Sequence, residues 1–373
     1  MDLNITKAEL VKRYRRKIFL SLFLILSTLA THAQIGGKHT YEFLNLTTEA
    51  RVAALGGDFL TFDDNDINLG LTNPSLITPE MQNYLGLNFV NYFAGINYGN
   101  AMYSMDFEKI GSFMGTLQFI HYGKFDWAND AGAVLGEFSS SEYAMTIGWG
   151  RRLTPLFAIG ANYKLIYSHF QTQDNTFSYL QSATSFGMAV DVAGSYLSEN
   201  GLFVASLIAK NIGFQLSGYY AGHSEPLPFE MQIGVSTRLK HLPLKLSFLY
   251  NHLEKWDLTY EDPANPSTEY DPITGETKTQ SDIEKFADNF MRHIVMGGEL
   301  TIAKIVDVRL GYNYGRRQEM KVESKISTVG FSWGFGLRIK NFSFSYSRAA
   351  YHLAGSPNYF TVTTNLSGFS RKN

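Results

Sequence analysis

From about Leu85 to Leu366 apolar residues recur at every second position, segment after segment. Over Glu142 to Arg152, Tyr143, Met145, Ile147 and Trp149 share one parity, and Ala144, Thr146, Gly148 and Gly150 the other. Over Leu156 to Tyr167, Phe157, Ile159, Ala161, Tyr163 and Leu165 oppose Gly160, Asn162 and Lys164. Near the end Val329, Phe331, Trp333, Phe335 and Leu337 alternate with Gly and Ser, and Phe342, Phe344 and Tyr346 alternate with Ser343, Ser345 and Ser347. A period of two gives strands with one large apolar face and one small or polar face. The pattern predicts about fourteen strands, near 85–93, 96–106, 112–122, 142–152, 156–168, 183–197, 202–210, 228–239, 243–252, 292–302, 306–316, 326–338, 341–350 and 358–366.

The connections alternate too. Those after even strands are short, as in 107–111, 153–155, 240–242 and 303–305. Those after odd strands are mostly long, as in 123–141, 170–182, 211–227 and 253–291, while 93–96 is tight. A transmembrane β-barrel has tight turns on its periplasmic side and long loops outside the cell. An even strand count then puts both termini in the periplasm. Polar residues fall on the small face: Asp191, Glu230, Gln232, Arg238, Lys245, Asn251, Glu299, Asp307, Arg309 and Asn313. Alternation alone also fits a soluble sandwich. Trp149, Tyr167, Tyr196, Tyr250, Tyr312, Tyr314 and Tyr346, placed near strand ends, favour the interfacial girdles of a barrel.

Composition agrees. The chain is 18% charged, against about a quarter for a usual soluble protein. It carries 22 Tyr, 28 Phe and 33 Gly. Residues 1–33 read as an export signal: Lys12, Arg13, Arg15, Arg16 and Lys17, then the apolar stretch Ile18 to Leu29, then Thr31-His32-Ala33 before Gln34. No later run reaches the ~18 apolar residues of a membrane helix, which leaves a closed barrel as the way to satisfy every backbone group in lipid. With no cysteine there is neither a lipid-anchored thiol nor a disulfide. A net charge of −2 gives no reason to expect nucleic acid. The chain thus divides into a signal (1–33), an N-terminal hatch or plug (34–84) and an outer-membrane barrel (85–373) in contact with outer-membrane lipid.

Catalytic and cofactor chemistry is not indicated. Asp63, Asp64, Asn65 and Asp66 could offer oxygens to calcium, but a turn explains them as well. There is no His-Glu-x-x-His and no P-loop. His121 and His169 approach the loop ends of strands, where a rim Ser/His pair would sit. The longest loop, 253–291, is polar and acidic; Trp256, Tyr260, Asp262, Tyr270 and Asp271 are its candidate partner-binding residues.

The N-terminal segment holds Ala50-Arg51-Val52-Ala53-Ala54-Leu55-Gly56-Gly57, then the acidic turn with Asp63 and Asp64, then Asn73-Pro74-Ser75-Leu76. This order resembles the hatch signature of FadL-like outer-membrane barrels, whose form is Ala-Arg-x-x-Gly-Met-Gly-Gly followed by Asn-Pro-Ala-Gly. Residues 36–44, 90–99, 225–229 and 252–258 resemble more closely the PorQ-like proteins of the type IX secretion system. That resemblance implies a fourteen-stranded barrel and a non-enzymatic part in exporting folded cargo and attaching it to the cell surface. It also implies PorZ-like, PorU-like and PorV-like partners. The FadL-like resemblance implies, as the alternative, a passive channel for a small hydrophobic compound.

Overall fold

The computed structural model describes residues 39–57, 61–172, 183–220, 222–259, 269–270, 277–278, 281–321, 327–351 and 355–369. The export signal expected at 1–33 lies outside them. Fourteen strands close into one antiparallel barrel: β1 (Tyr84–Asn91), β2 (Asn97–Phe107), β3 (Gly111–Ala128), β4 (Val134–Thr154), β5 (Phe157–Thr172), β6 (Ala183–Leu197), β7 (Phe203–Ser217), β8 (Glu230–Arg238), β9 (Leu244–Tyr250), β10 (Ile294–Ile302), β11 (Val306–Asn313), β12 (Phe331–Ile339), β13 (Phe342–Ala349) and β14 (Asn358–Asn365). Each strand pairs with its neighbours in sequence, and β14 returns to pair with β1, Tyr84 facing Asn365 and Asn91 facing Asn358. Such an order leaves no free edge.

The faces sort as the alternation requires. Leu117, Tyr143, Met145, Ile147, Leu165, Phe214, Leu310 and Trp333 point outward and are exposed, Leu310 at 65%. Thr146, Asn162, Asp191, Gln232, Glu299 and Arg309 point inward and are buried. A water-soluble sandwich would put the apolar set inside. Here it forms an outer belt, the arrangement a membrane barrel needs. Among the described residues no helix is long and apolar enough to cross a membrane.

Several boundaries differ from the sequence pattern. The stretch 123–141 is not a loop: β3 and β4 run on to a turn at 129–133, where the Asn129 side chain accepts from the amides of Ala131 and Ala133. Strands β5 and β7 also run further, into the stretches read as loops at 170–182 and 211–227. In β3 and β4 polar outward residues such as Lys124 and Glu137 break the apolar half of the alternation, and in β7 a bulge at Lys210 and Asn211 shifts its parity before Ile212, Phe214 and Leu216. The segment read as a strand over 306–316 ends at Asn313, whose side chain caps a short helix, Tyr314–Met320. Val329 is buried before β12 begins, not outward with Phe331. The 253–291 connection contains a helix, α2 (Asp282–Arg292), closed at its start by a Ser281/Glu284 capping box. The tight 93–96 connection does join two strands, with Ala94 and Gly95 at positive φ.

Residues 39–57 and 61–83 line the inside of the barrel. Thr40 donates its amide to the Pro226 carbonyl at the long-loop end, while Arg152, at the short-turn end, holds Asp63 with both contacts at 2.7 Å. A short helix, α1 (Ala50–Ala54), has every residue buried and packs on β11 to β14. Its first amide donates to Thr361 Oγ1 at 3.0 Å, and its last carbonyl accepts from Ser332 Oγ at 3.0 Å. Both orphan ends of the helix are therefore served by the wall.

Candidate functional site

Beyond the hydrogen bonds already described, the inner segment is seated on the wall by two close backbone contacts and a charged cluster. The first contact follows α1, where Gly56 and Gly57 take φ of 124° and 86°. Only glycine adopts such angles without strain, and a Cβ on Gly56 would stand 2.1 Å from Val295 Cγ1. Beneath the turn lie Gly297 and Gly311, which face each other across β10 and β11. A Cβ on Gly311 would stand 2.4 Å from Gly56 N, and one on Gly297 would stand 2.7 Å from the Leu55 carbonyl oxygen. The second contact is the turn at Asn73 and Pro74. Gly150 and Gly160 face each other across β4 and β5, and both lie under Pro74. Ser75 Oγ continues the contact to Ser195 Oγ at 2.5 Å. Each turn of the inner segment thus rests on a cross-strand glycine pair, where backbone meets backbone.

The charged cluster is centred on Arg51. Its Nε and Nη2 reach the two Glu299 carboxylate oxygens at 2.7 Å each. The guanidinium also holds Asp64 at 2.6 and 3.0 Å and Asp66 at 3.0 Å. Lys245 bridges Asp64 (2.6 Å) and Glu299 (2.9 Å). Arg309 binds Glu299 at 2.8 Å and Asp307 at 3.1 Å, and Arg338 reaches Asp307 at 2.5 Å. The Phe62 ring lies 5.1 Å from the Arg51 guanidinium and 5.3 Å from the Lys245 ammonium. Four carboxylates and four cations interlock here, two of the carboxylates and one cation belonging to the inner segment. Burial pushes the Asp64 carboxyl up, but Arg51 and Lys245 outweigh burial and hold it at about 2. Since this lies below the ordinary 3.8, the contribution of Asp64 is complete above that value and fades as pH falls towards 2.

Glu49, next to α1, behaves in the opposite way. Burial raises its carboxyl from 4.5 to about 7, against hydrogen bonds from Thr48 and Asn100. Its Oε2 has no hydrogen-bond partner among the described residues. Between 4.5 and about 7 the unfolded chain loses this proton before the folded one does, so stability falls across that window. A Glu49→Gln protein should therefore match the parent at pH 4 and exceed it by up to about 3 kcal/mol at pH 8, at 1.36 kcal/mol per pKa unit. Denaturant midpoints in detergent at the two pH values measure this; an equal difference at both would remove the carboxyl from the account.

A cavity of about 520 Å³ opens beside the cluster at the short-turn end. Arg51, Asp64, Lys245, Asp307, Arg309 and Arg338 are among its lining residues. A second buried pair, Lys164 and Asp191 at 2.8 Å, lies deeper in the lumen, where Lys164 also donates to Asn211 Oδ1 at 2.8 Å.

The structure brings Ala50, Arg51, Leu55, Gly56, Gly57, Asp64, Asn73 and Pro74 against the wall, and Asp63 joins them through Arg152. The acidic turn does not gather its oxygens around one point. Asp63, Asp64 and Asp66 each turn to a cation, and Asp66 also accepts from the Asn68 amide at 3.1 Å. Of the loop candidates, Trp256 is half exposed and stacks near Phe286 and His293. Tyr260, Asp262 and Asp271 lie outside the described residues, and Tyr270 belongs to a two-residue strand, Glu269–Tyr270, paired with Thr277–Lys278. His121 Nδ1 meets Ser141 Oγ at 2.9 Å on the outer face, and His169 lies across from Ser141 on β5. Glu299, Lys245 and Arg309 were legible as inward polar residues, but not as members of one cluster with Arg51.

The chain folds as a closed fourteen-stranded barrel like that of a solved hydrocarbon transporter. The structure of the toluene transporter TodX from Pseudomonas putida superposes with a TM-score of 0.51 at 9% identity, covering 86% of this chain and 99% of that one. Two TodX variants described as monoaromatic hydrocarbon channels give 0.50, at 10% identity (86% and 99% covered) and at 11% identity (84% and 96% covered). These are transport proteins by description, not enzymes, and a barrel of this type fits the outer membrane. No family model matches the chain, and no curated protein matches it.

Proposed function

We propose that this protein is a plugged outer-membrane barrel that holds a surface protein at the cell exterior, in the manner its PorQ-like sequence blocks imply for type IX secretion. The observation that carries the reading is the occupied lumen. The inner segment packs it through glycine-seated turns and a neutralised charge cluster, and the cavity beside that cluster is lined mostly by polar and charged side chains. A pathway for a greasy solute needs an apolar pocket with few polar groups, and this lining carries many charged ones. With the termini in the periplasm, the long connections face outward, and the 253–291 loop is the docking element for a PorZ-like protein.

The second reading is a passive channel for a small hydrophobic compound. The fold likeness to the toluene transporter favours it, and the comparisons support this reading rather than the secretion one. Liposomes separate the two. On the anchoring reading, the reconstituted protein takes up neither toluene nor a labelled fatty acid. A pull-down from solubilised outer membrane then recovers a large surface protein that leaves the membrane when the gene is deleted. Uptake, with surface attachment of secreted proteins intact in the deletion strain, would reverse the order of the two readings.

A further inference from the structure

Helix α2 is built inside out for a protein in water. Its apolar residues Ile283, Phe286, Ala287 and Phe290 fall at i, i+3, i+4 and i+7, which is one stripe of a helix. A soluble protein turns such a stripe to its core. Here the stripe faces away: Ile283 is 80% exposed, Phe286 59% and Phe290 41%. The packed side is the polar one. Asp288 accepts from the Tyr314 hydroxyl at 2.7 Å and pairs with Arg292 at 2.8 Å, and buried Asn289 accepts from the Leu258 amide at 3.0 Å.

The stripe also has a direction. The Phe290 ring lies 5.8 Å from Tyr250, the last residue of β9 and on its outward parity. Tyr250 stands in register between Ile233 of β8 and Ile294 of β10, both on the outward face. The apolar side of α2 is therefore continuous with the outer apolar belt of the barrel. Trp256, 5.2 Å from Phe286, extends the patch with an indole, a ring that favours the membrane boundary.

We propose that α2 lies in the outer boundary of the bilayer as an interfacial helix, with Ile283, Phe286 and Phe290 in lipid. Its occupant is the acyl region of the membrane that surrounds the belt, because the stripe adjoins that surface without a break. Polar contacts on its other side hold the helix to the barrel, so it marks the level of the membrane on the side of the barrel where β8 to β10 end. The inference does not depend on which function the barrel serves.

The cysteine-free chain allows a direct test. Single I283C, F286C and E284C proteins carry an environment-sensitive fluorophore in phosphatidylcholine/phosphatidylglycerol vesicles containing a lipid with a nitroxide near its headgroup. Each variant is first checked for the heat-modifiable gel mobility of a folded barrel. A helix in the boundary buries its apolar face about 5–10 Å deep. Probes at 283 and 286 should then emit to the blue of the probe at 284 and be quenched at least about twofold more. Equal emission and equal quenching at all three positions would overturn the proposal and leave the stripe to a protein partner.

Discussion

An Arg51→Met protein should leave its barrel folded but release the inner segment from the lumen. The Glu299 side chain is fully buried and Arg51 supplies two of its contacts, while Asp66 pairs with no other cation among the described residues. Removing Arg51 leaves four carboxylates to three cations in a largely buried site. Breaking one partner out of a buried ion pair costs about 3–5 kcal/mol, because the remaining charge stays uncompensated. The barrel hydrogen bonds are untouched, so the cost falls on the segment. Two measurements read it. Protease should cut within residues 39–83 of the variant and not of the parent. In a planar bilayer the variant should pass ions where the parent does not. Adding Glu299→Gln should recover part of the loss. A variant as resistant and as silent as the parent would mean that the glycine-seated turns hold the segment without the cluster.

Replacing Gly160 by leucine should have the second largest effect. Even the Cβ would stand 2.2 Å from the carbonyl carbon of Pro74 and 2.5 Å from Ser75 N. These are backbone atoms, so no side chain can swing aside, and the Asn73–Pro74 turn must lift from the wall. Overpacking a tight site costs typically about 1–3 kcal/mol, and a whole side chain against backbone belongs at the upper end. Gly194→Ala is the control, since a Cβ there meets nothing within 4 Å. The expected result is protease cleavage near Pro74 in G160L and none in G194A. Equal resistance in both would mean that the turn does not rest on β5 in the membrane.

How far the sequence reaches can be seen from the same residues. The alternation of Tyr143, Met145 and Ile147 with Ala144, Thr146 and Gly148 is local, and lipid on one side with a crowded lumen on the other enforces it. Strand number and order were readable for that reason. The upper parts of β3 and β4 were not, since no apolar belt marks them. Helix α2 carried a visible signal, Ser281 with Glu284 three residues on, inside a stretch whose acidic and turn residues read as loop. The ion cluster was legible only as separate inward charges. Arg51 and Glu299 are 248 residues apart, and their meeting depends on the closure of all fourteen strands. The glycine pairs are of the same kind: Gly150 and Gly160 read as small lumen residues, and Pro74 between them is a property of the closed barrel.

The seam between β1 and β14 sets an order of events. The segment that fills the lumen is made before any strand, yet the wall around it is completed only when the last strand pairs with the first. A hydrogen-bonded wall has no gap wide enough for a folded turn to pass. The segment therefore enters and leaves only through an end of the barrel, and once inside it braces the seam: Asn68 donates to Thr363 Oγ1 on β14 and accepts from the Asn88 side-chain amide on β1. Contacts so distant in sequence form slowly. For this chain, joining the seam and stowing its own beginning therefore support one another.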